Sequence, residues 1–578
     1  MSLPWPSASD AADAVATARP VRTVRALIEQ QKAQRPEAVY ALHTDSADRL
    51  SFGQLAADCR TVASLLRQYG SAPGDVVSLV MPNGLMTLRL LLGAMHGGWC
   101  VNPVNLLAQP EQMRYVLQHS ECRVVCVTPD REAQVRELLQ GLSRPVALWV
   151  VPADAVSLPA VDPATSTAQS QAKLDADPEV EPDPQSLALL MYTSGTTGVP
   201  KGVMLSQSNL AANAQAITQE HGLSHEDRVL AVLPLYHINA FAVTMLAPLA
   251  HGGSLAMTTR FSAARFWQQA RDTACTWLNV VPTMISYLLE GANPASGSTA
   301  HLRFCRSASA ALPPEHLQAF EQRFGIGVVE TMGLTETMAP AFSNPMDASQ
   351  RKLGAVGRAS GCEAAVIDPH LQPLPDGETG EIVIRGPNVM LGYFKNEAAT
   401  HATFTPEGWL RTGDLGHRDS DGFFFITGRI KELIIKGGEN IAPREIDEVL
   451  LRHPAVLEAA AVGIPDKHYG QEIMACVVLR ESHGALQARA HAQALSQALS
   501  QAHAHSEAQA GAANEETACG LTASTAEVES SLRAFCELHL GRYKTPKVLR
   551  FVTSLPRGPS GKVQRLKLLD LPAPPHLP

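Results

Sequence analysis

The chain has 578 residues, 45% of them hydrophobic, and this length exceeds what one hydrophobic core usually supports. A large domain and at least one smaller domain are therefore expected. The formal net charge of −9 and the isoelectric point near 6.1 provide no overall basic surface, which argues against proteins that bind nucleic acid or anionic membranes.

The start of the chain does not resemble a targeting segment. It carries prolines and acidic residues where a secretory signal peptide needs a basic start and an apolar core, and no hydrophobic run is long enough to span a membrane. The ten cysteines are scattered without zinc-ligand spacing, which is typical of buried free thiols in a reducing compartment. We therefore expect a cytoplasmic protein that does not insert into membranes.

Short β-rich runs alternate with longer helical patterns from residue 22 to about residue 281. Val76–Val80 and Val124–Val127 have the composition of strands, and residues 85–95 between them have a helical pattern. This alternation predicts an α/β fold in which mainly parallel strands are covered by helices on both faces. Ligand sites in such folds form at the carboxyl ends of the strands, so motifs that directly follow strands are the candidates.

Two stretches have the composition of connectors. Residues 152–184 are rich in Pro, Asp, Ala and Ser and predict a surface excursion. Residues 482 to about 525 are rich in Ala, Gln, Ser and His and lack a stable apolar stripe, so we expect a poorly ordered insert. Its histidines at 491, 503 and 505 are interpreted as part of a solvated low-complexity segment and not as metal ligands.

The strongest motif is YTSGTTGVPKG, residues 192–202, which directly follows an apolar strand. Its glycines at 195, 198 and 202 let the backbone bend so that N–H groups face an anion. Further donors come from five side chains: Thr193, Ser194, Thr196, Thr197 and Lys201. The motif predicts a phosphate-binding loop that differs from the Walker A pattern.

Four more motifs follow in order. They are TMGLTET at 331–337, RTGDLG at 411–416, KELIIKGGENIAPREID at 431–447 and PRGPSGKVQR at 556–565. With these motifs in this order, residues 20 to about 570 resemble the adenylate-forming superfamily of acyl-CoA and aryl-CoA ligases, luciferases and peptide-synthetase adenylation domains. The resemblance implies an ATP-dependent enzyme that activates a carboxylic acid.

The resemblance also implies a domain organisation. A large N-terminal α/β domain, residues 1–428, would bind ATP and the acid with mainly parallel sheets flanked by helices. A small α+β C-terminal domain, residues 429–578, would swing between two orientations about a hinge at Lys431. The first orientation would serve adenylate formation, and the second would serve thioester formation.

Two residues of TMGLTET are expected at the α-phosphate. By resemblance, Thr335 would contact the α-phosphate and Glu336 would help to hold Mg²⁺, an ion that prefers a carboxylate together with phosphate oxygens. Met332 stands where the family often has an aromatic ring stacked on adenine. A thioether can also pack on a ring face.

The later motifs imply the remaining contacts. By resemblance, Asp414 and Arg429 would bind the ribose, because a carboxylate accepts hydrogen bonds from both hydroxyl groups. Gly437 and Gly438 would line the tunnel that admits the pantetheine arm of coenzyme A; a turn that needs no ligand is the alternative for these glycines. Lys562 would be the catalytic lysine that neutralises charge between the carboxylate and the α-phosphate.

The implied substrates and cofactor are ATP, coenzyme A, a carboxylic acid and Mg²⁺. The acid's carboxylate would attack the α-phosphorus, giving an acyl-adenylate and pyrophosphate, and the thiol of coenzyme A would then displace AMP. No protein nucleophile is required, because positioning and electrostatic stabilisation carry the catalysis. The sequence leaves the oligomeric state open.

The acid pocket is expected around residues 234–242 and 307–312 and near Met332. Ala308 and Ser309 stand where many family members have Gly-Gly and would fill a tunnel for a long alkyl group. Asn239 and Arg306 add polar or positive groups, and His237 lies at a pocket-gate position. Such groups beside a fatty tail would waste hydrogen bonds, so we expect a small polar or dianionic acid, such as a dicarboxylate or sulfoacetate. Hydrogen bonding within the core is the alternative explanation of these polar groups.

Other activities remain open at this point. One alternative is a medium-chain fatty or aromatic acid–CoA ligase, and another is a stand-alone enzyme that loads an acyl carrier protein. A nucleotide-binding sensor without turnover is disfavoured, because both Lys201 and Lys562 are present. Luciferase-like oxygenation is disfavoured only by its rarity.

Overall fold

The computed structural model describes residues 22–158, 181–193, 199–295, 297–480, 525–557 and 563–571. Four predictions made above concern residues outside these ranges: most of the connector at 152–184, residues 194–198 of the phosphate-binding loop, the insert at 482 to about 525, and Lys562. No helix in the described part of the chain combines the length and the apolarity needed to cross a membrane. The nine described cysteines are free thiols, and all but Cys362 are buried.

The chain divides into two compact units. Unit 1 comprises Met1–Thr412 and Gly416–Ile426, and unit 2 comprises Gly413–Leu415 and Thr427–Pro578. We retain the domain boundary after residue 428 as a proposal. Strands are numbered along the chain as β1 to β25 and helices as α1 to α13.

The largest sheet of unit 1 has nine strands. They are β1 (Val39–His43), β2 (Arg49–Ser51), β9 (Arg228–Ala231), β10 (Ser254–Met257), β11 (Trp277–Val280), β12 (Phe304–Ser307), β13 (Val328–Met332), β14 (Phe342–Ser343) and β15 (Arg358–Ala359). Their order is β15-β14-β13-β12-β11-β9-β10-β1-β2. The six strands from β13 to β1 are parallel, and β2, β14 and β15 pair in antiparallel fashion.

A second sheet of unit 1 has seven strands. They are β3 (Val76–Val80), β4 (Cys100–Pro103), β5 (Val124–Val127), β6 (Ala147–Val150), β7 (Leu187–Thr193), β8 (Lys201–Ser206) and β18 (Gly392–Tyr393). Their order is β18-β8-β7-β4-β3-β5-β6. The strands from β7 to β6 are parallel, whereas β8 and β18 are antiparallel and extend one edge.

Helices separate most of these strands. They are α1 (Val24–Gln34), α2 (Phe52–Gln68), α3 (Leu85–His96), α4 (Pro110–His119), α5 (Glu132–Leu139), α6 (Gln207–Glu220), a π-helix (Ala240–Leu246), α7 (Ala247–His251), α8 (Phe266–Asp272), α9 (Pro282–Glu290), α10 (Pro314–Phe324) and α11 (Glu397–Thr403). The central strands β11 and β12 are buried along their whole length, which requires cover on both faces. The predicted α/β architecture of mainly parallel sheets flanked by helices is therefore present.

Local signals explain where the helices begin. Ser51 precedes α2, and its hydroxyl accepts a hydrogen bond from the backbone amide of Gln54. In return, the Gln54 side-chain oxygen accepts a hydrogen bond from the backbone amide of Ser51. Ser206 and Asn209 form the same reciprocal pair at the start of α6. Such capping boxes satisfy amide groups that the first helical turn leaves unpaired. The polar start at Ser206 fixes α6 directly after the β7–β8 hairpin.

Two smaller sheets complete the fold. A four-stranded sheet contains β16 (Glu363–Ile367), β17 (Gly380–Arg385), β19 (Leu410–Arg418) and β20 (Phe424–Arg429), in that order. Unit 2 contains β21 (Ile434–Lys436), β22 (Glu439–Ile441), β23 (Val456–Asp466), β24 (Gly470–Leu479) and β25 (Val548–Phe551), together with α12 (Pro443–Leu451) and α13 (Thr525–Lys544). The sheet order is β22-β21-β24-β23, and β25 pairs with β24. Unit 2 is therefore α+β, as predicted.

Candidate active site

The β7–β8 hairpin carries the ends of the predicted phosphate loop. Thr193 ends β7 and Lys201 begins β8, and the two residues are paired across the hairpin. The residues between them that were predicted to bind phosphate, Ser194, Gly195, Thr196, Thr197 and Gly198, lie outside the described ranges. A Cβ at Gly202 would lie 2.9 Å from the end of the Leu190 side chain, so a larger residue at this position would require that side chain to shift. The hairpin therefore places the Thr193 hydroxyl and the Lys201 ammonium group on paired positions at the two ends of the loop.

Tyr393 joins Lys201 to Glu336. The Lys201 ammonium lies 4.7 Å from the centre of the Tyr393 ring, within the range of a cation–π interaction. The Tyr393 hydroxyl donates a hydrogen bond to Glu336 Oε1 at 2.9 Å. The cation and the carboxylate that were predicted from separate motifs therefore meet at the same aromatic side chain.

Glu336 lies on a short 3-10 helix, Thr335–Thr337, just after β13. The Leu334 amide donates to the Thr337 hydroxyl at 3.0 Å, and the Asn388 side-chain amide donates to the Thr337 carbonyl at 3.0 Å. These bonds hold the turn on both sides. The predicted Thr335 and Glu336 are thereby placed at the carboxyl end of a parallel strand, where ligands bind in such sheets.

Tyr393 was not among the residues predicted from the sequence. It lies on β18, which pairs with β8, and Tyr393 is the register partner of Val203. Burial, and then the Glu336 carboxylate, raises the pKa of the Tyr393 hydroxyl above its usual range, so it stays a neutral donor at physiological pH. The aromatic residue in Gly392–Tyr393 was the available signal, but only strand pairing shows that it lies beside Lys201.

The donor set at Glu336 fits Mg²⁺ bound together with nucleotide phosphates. Among the described residues, no group of three or more His, Cys, Asp or Glu side chains could hold a metal ion without other ligands. Magnesium in nucleotide enzymes uses one or two carboxylates, with water and phosphate oxygens completing its shell. Glu336 can supply the carboxylate, while Lys201 nearby can balance phosphate charge.

Met332 is partly buried at the end of β13. It is paired with Phe342 on β14 and packs against the cluster that contains Phe342 and Phe424. Part of its thioether therefore belongs to the hydrophobic core. Contact between Met332 and adenine stays a prediction.

Arg306 is the central charge of the predicted acid pocket. It lies on β12 and is 1% exposed. Its Nη1 donates to Asn239 Oδ1 at 2.7 Å and to Asn279 Oδ1 at 2.8 Å. Burial lowers the pKa of the Arg306 guanidinium to about 9, which still leaves a cation at neutral pH.

Asn239 links Arg306 to the Ala308–Ser309 segment. The Asn239 amide donates to the Ser309 hydroxyl at 3.2 Å, and the Asn279 amide donates to Asn239 Oδ1 at 3.3 Å. Ser309 has φ of +76°, a left-handed conformation that favours glycine, and Ala308 is buried. Asn239 and Asn279 thus bond within the protein, as the alternative explanation of the polar groups expected.

His237 lies just before the π-helix. Its ring meets Tyr236 edge-on with centroids 4.7 Å apart, and its carbonyl accepts a hydrogen bond from the Phe241 amide. His237 is partly buried. Its role as a pocket gate stays a prediction.

In unit 2, the predicted ribose contacts lie together. Arg429 Nε lies 2.6 Å from Asp414 Oδ1, which forms an ion pair. The Asp414 carboxylate is 3% exposed, whereas the Arg429 side chain is 41% exposed. The structure thus joins the RTGDLG segment to Arg429 at the end of β20, while ribose binding itself stays a prediction.

Gly437 and Gly438 form the turn between β21 and β22. Their φ values are +56° and +88°, so both positions favour glycine. A Cβ at Gly437 would also lie 2.8 Å from the Tyr543 hydroxyl and 3.2 Å from the Tyr469 ring. Hairpin geometry explains both glycines without a ligand, and their contact with coenzyme A stays a prediction.

Lys562 lies outside the described residues, but the segments that flank it are described. Arg557 and Val563 form an antiparallel bridge, and the Gln564 amide donates to the Pro556 carbonyl at 2.8 Å. Arg565, which the sequence analysis did not single out, pairs with Asp447 at 2.5 Å and with Glu432 at 2.9 Å. The ends of the segment that carries Lys562 are therefore fixed within unit 2.

Family models match both units. The model of the AMP-binding enzyme family matches residues 28–394, and the model of the AMP-binding enzyme C-terminal domain matches residues 445–562. The chain belongs to the family of AMP-binding enzymes. The predicted membership of the adenylate-forming superfamily is confirmed.

Individual relatives of this AMP-binding enzyme match it over nearly its full length. The sulfoacetate–CoA ligase of Cupriavidus necator is 54% identical, over 95% of this chain and 97% of the relative. The oxalate–CoA ligase of Arabidopsis thaliana is 33% identical, over 88% of this chain and 90% of the relative. The crystal structure of ATP-bound MatB from Rhodopseudomonas palustris superposes with a TM-score of 0.77 at 26% identity, over 95% of this chain and 98% of that chain. The predicted fold of this AMP-binding enzyme is confirmed.

Proposed function

We propose that this AMP-binding enzyme joins a small dianionic carboxylic acid to coenzyme A, with sulfoacetate as the first candidate. The reaction class is that of an AMP-forming acid–CoA ligase, in agreement with the family and its relatives. The identity of the acid is the part that needs support from the site.

The relatives favour a small acid with two charges. The names of the two ligases described above specify sulfoacetate and oxalate, and both acids carry two negative charges at neutral pH. The first of these relatives shares more than half of its residues with this chain across almost the whole length. A pocket built for such an acid needs a positive group besides those that bind ATP.

The buried Arg306 is the observation that carries the choice of acid. Its charge has no carboxylate partner among the described residues, and its hydrogen-bond acceptors are neutral asparagine oxygens. A fatty or aromatic tail placed against this group would leave the cation without compensation, at a high desolvation cost. A second anionic group on the substrate would compensate the charge.

The residues on the ATP side suit the first half-reaction. Lys201 and Thr193 would hold the phosphates, and Glu336 would hold Mg²⁺, which neutralises phosphate charge when bound. The substrate carboxylate attacks the α-phosphorus, a new C–O–P linkage forms, and the bond to pyrophosphate breaks. Tyr393 donates a hydrogen bond to the Glu336 carboxylate, and its ring contacts the Lys201 ammonium group. Both charges are therefore positioned before the substrates bind.

The second half-reaction transfers the acyl group to a thiol. The thiol of coenzyme A loses its proton to solvent, the thiolate sulfur attacks the acyl carbon of the adenylate, and AMP leaves with the electrons of the broken C–O bond. Asp414 and Arg429 would hold the ribose of the nucleotide through this step. Lys562 would act in the first half-reaction alone.

A pyrophosphate-release assay with and without coenzyme A tests the proposal. The acids are sulfoacetate, oxalate, malonate, acetate, octanoate and benzoate, at matched concentrations. We expect the highest kcat/KM for sulfoacetate, and acyl-CoA formation only when coenzyme A is present. A preference for octanoate or benzoate would contradict the proposed acid class. Turnover that needs a carrier protein in place of coenzyme A would favour the loading-enzyme alternative.

A further inference from the structure

Arg306 differs from a buried arginine that serves the fold. Arg89 is also buried, and its Nε donates to the Asp58 carboxylate at 2.7 Å. Arg306 is more deeply buried, yet no acidic side chain pairs with it among the described residues. A charge without a partner in the interior carries a large desolvation penalty, so a purely structural arginine at this position would be expected to acquire a carboxylate.

The guanidinium also keeps hydrogen-bonding capacity. Its Nη1 is used by Asn239 and Asn279, but the buried Nε has no hydrogen-bond partner among the described residues. Arginine presents five N–H donors in a planar fork that matches a carboxylate, a phosphate or a sulfonate. The two asparagines fix one end of the fork, and the other donors remain for a ligand.

The two asparagines hold Arg306 without neutralising it. Asn279 on β11 is the register partner of Arg306 on β12, so the two side chains lie on the same sheet face. Asn239 approaches from the segment before the π-helix and is itself fixed by Ser309. Neutral amide oxygens orient a guanidinium while leaving its full positive charge for another group.

A second polar side chain on this sheet face, Thr331, also lacks a hydrogen-bond partner among the described residues. Arg306 pairs in register with Val329 on β13, so Thr331, two residues further along, shares its face. Thr331 Oγ1 is buried without a hydrogen-bond partner among the described residues. A ligand or an ordered water molecule can satisfy such a buried hydroxyl group.

The neighbouring histidine does not add charge. His221, directly after α6, lies near Phe304 and Trp277, with ring centroids 5.6 and 6.5 Å away. Burial, and then Arg306, lowers the pKa of His221 to about 3, so this imidazole is neutral at physiological pH. Arg306 is therefore the cation that an anion would meet on this face.

We propose that Arg306, oriented by Asn239 and Asn279, binds the anionic group of the acid that is not activated, the sulfonate of sulfoacetate. This inference rests on the proposed function. It makes Arg306 the residue that determines specificity, because a sulfonate both pairs with the buried charge and accepts hydrogen bonds from the remaining N–H groups. An acid without a second anion leaves the guanidinium uncompensated and is rejected.

The test compares two acids of similar shape in two Arg306 variants and in one control variant. Sulfoacetate is compared with 3,3-dimethylbutyrate, in which a tert-butyl group replaces the sulfonate. The variants are Arg306→Gln, Arg306→Lys and the control Arg303→Gln. Arg303 immediately precedes β12, is 43% exposed and pairs with Asp227 through its Nη1, so it is a neighbouring arginine outside the site.

We expect Arg306→Gln to lower kcat/KM for sulfoacetate by about 100-fold or more, because it removes one partner of a buried charge pair. The kcat/KM for 3,3-dimethylbutyrate should fall less than about threefold or rise, since the uncompensated charge is gone. Arg306→Lys keeps the charge but loses the fork, so it should retain part of the preference for sulfoacetate. Arg303→Gln should leave the ratio of kcat/KM for the two acids unchanged.

Thermal unfolding separates a functional charge from a structural one. If Arg306 serves the substrate, Arg306→Gln should unfold at the same temperature as the wild type or higher, because a buried charge has been removed. A lower unfolding temperature together with equal losses for both acids would overturn the inference. If the glutamine variant does not fold, the same two-acid comparison is made with Arg306→Lys, and an unchanged ratio would overturn the inference.

The wild-type measurements keep the two proposals distinguishable. If the wild type turns over sulfoacetate but Arg306→Gln has the same ratio of kcat/KM for the two acids as the wild type, the inference about Arg306 is wrong and the proposed function stands. If the wild type prefers oxalate or malonate and Arg306→Gln loses that activity selectively, the sulfonate is wrong but an anion site at Arg306 is supported. Equal use of neutral-tailed and dianionic acids by the wild type would overturn both.

Discussion

The residues of unit 1 proposed to bind ATP and the residue proposed to bind the acid differ in how their charges are compensated. On the ATP side, Lys201 and Glu336 are opposite charges that meet at Tyr393. On the acid side, Arg306 is a buried cation held only by neutral amides among the described residues. Paired opposite charges suit residues that act on every substrate. A buried charge without a partner instead requires an opposite charge from one class of substrate.

This difference predicts two kinds of variant. Changes on the ATP side, and at Lys562, should alter the rate with every acid by the same factor. Changes on the acid side should alter the ratio between acids. For each variant, the ratio of kcat/KM for sulfoacetate to kcat/KM for 3,3-dimethylbutyrate is therefore measured together with the absolute rate.

The largest effect is expected at Lys562. Lys562→Ala should lower adenylate formation by about 100-fold or more, because it removes a positioned positive charge from the transition state. Capture of a supplied acyl-adenylate by coenzyme A should stay near the wild-type rate. The two half-reactions are measured separately, by pyrophosphate release and by thioester formation. An equal loss in both would contradict the role of Lys562.

A smaller, acid-independent effect is expected at Tyr393. Tyr393→Phe keeps the ring beside Lys201 but removes the hydrogen bond to Glu336, and a hydrogen bond to a charged group contributes about 1.5–3 kcal/mol. We expect kcat to fall by about 10-fold or more with both acids, accompanied by a higher Mg²⁺ requirement. The matched control is Tyr287→Phe, at a side chain that is 57% exposed on α9.

Two results would break the interpretation of Tyr393. If Tyr393→Phe changes the ratio between the two acids, Tyr393 acts on acid selection and the contrast between the two sides fails. If kcat falls but the Mg²⁺ dependence is unchanged, the hydroxyl does not act through Glu336. The Tyr287→Phe control should stay within about twofold of wild type, as surface substitutions usually do.

The smallest effect is expected from widening the acid pocket. Changing Ala308 and Ser309 together to Gly removes side-chain volume, and Ser309 already has a φ that favours glycine. Each extra methylene buried contributes about 0.8 kcal/mol, so longer acids should gain only a few-fold in kcat/KM. Sulfoacetate should lose a similar factor, because Asn239 loses its partner at Ser309. A chain-length series measures both, and no change with any acid would place these residues outside the pocket.

The contrast also shows what the sequence could reveal. Lys201, Thr335 and Glu336 lie in contiguous motifs, so the sequence alone indicated them. Tyr393 could not be assigned, because it reaches Lys201 only through the pairing of β18 with β8. The lack of a carboxylate beside Arg306 in the described part of the chain could not be predicted either, because a counter-ion can come from any part of the chain.

Glycines and strand ends show a similar limit. Gly437 and Gly438 were predicted to line a tunnel, yet hairpin geometry already requires them, so their motif does not separate folding from binding. The hydrophobic run that begins at Val229 continues to Leu233, yet β9 ends at Ala231. Hydrophobic runs continue past the last paired residue when the following loop is itself buried.

A crystal structure of the enzyme with sulfoacetate and a non-hydrolysable ATP analogue tests the central claim most directly. The account predicts that sulfonate oxygens lie about 3 Å from Arg306 nitrogen atoms, with the carboxylate directed toward the α-phosphate. A sulfonate bound elsewhere, with Arg306 still bonded only to Asn239 and Asn279, would contradict it.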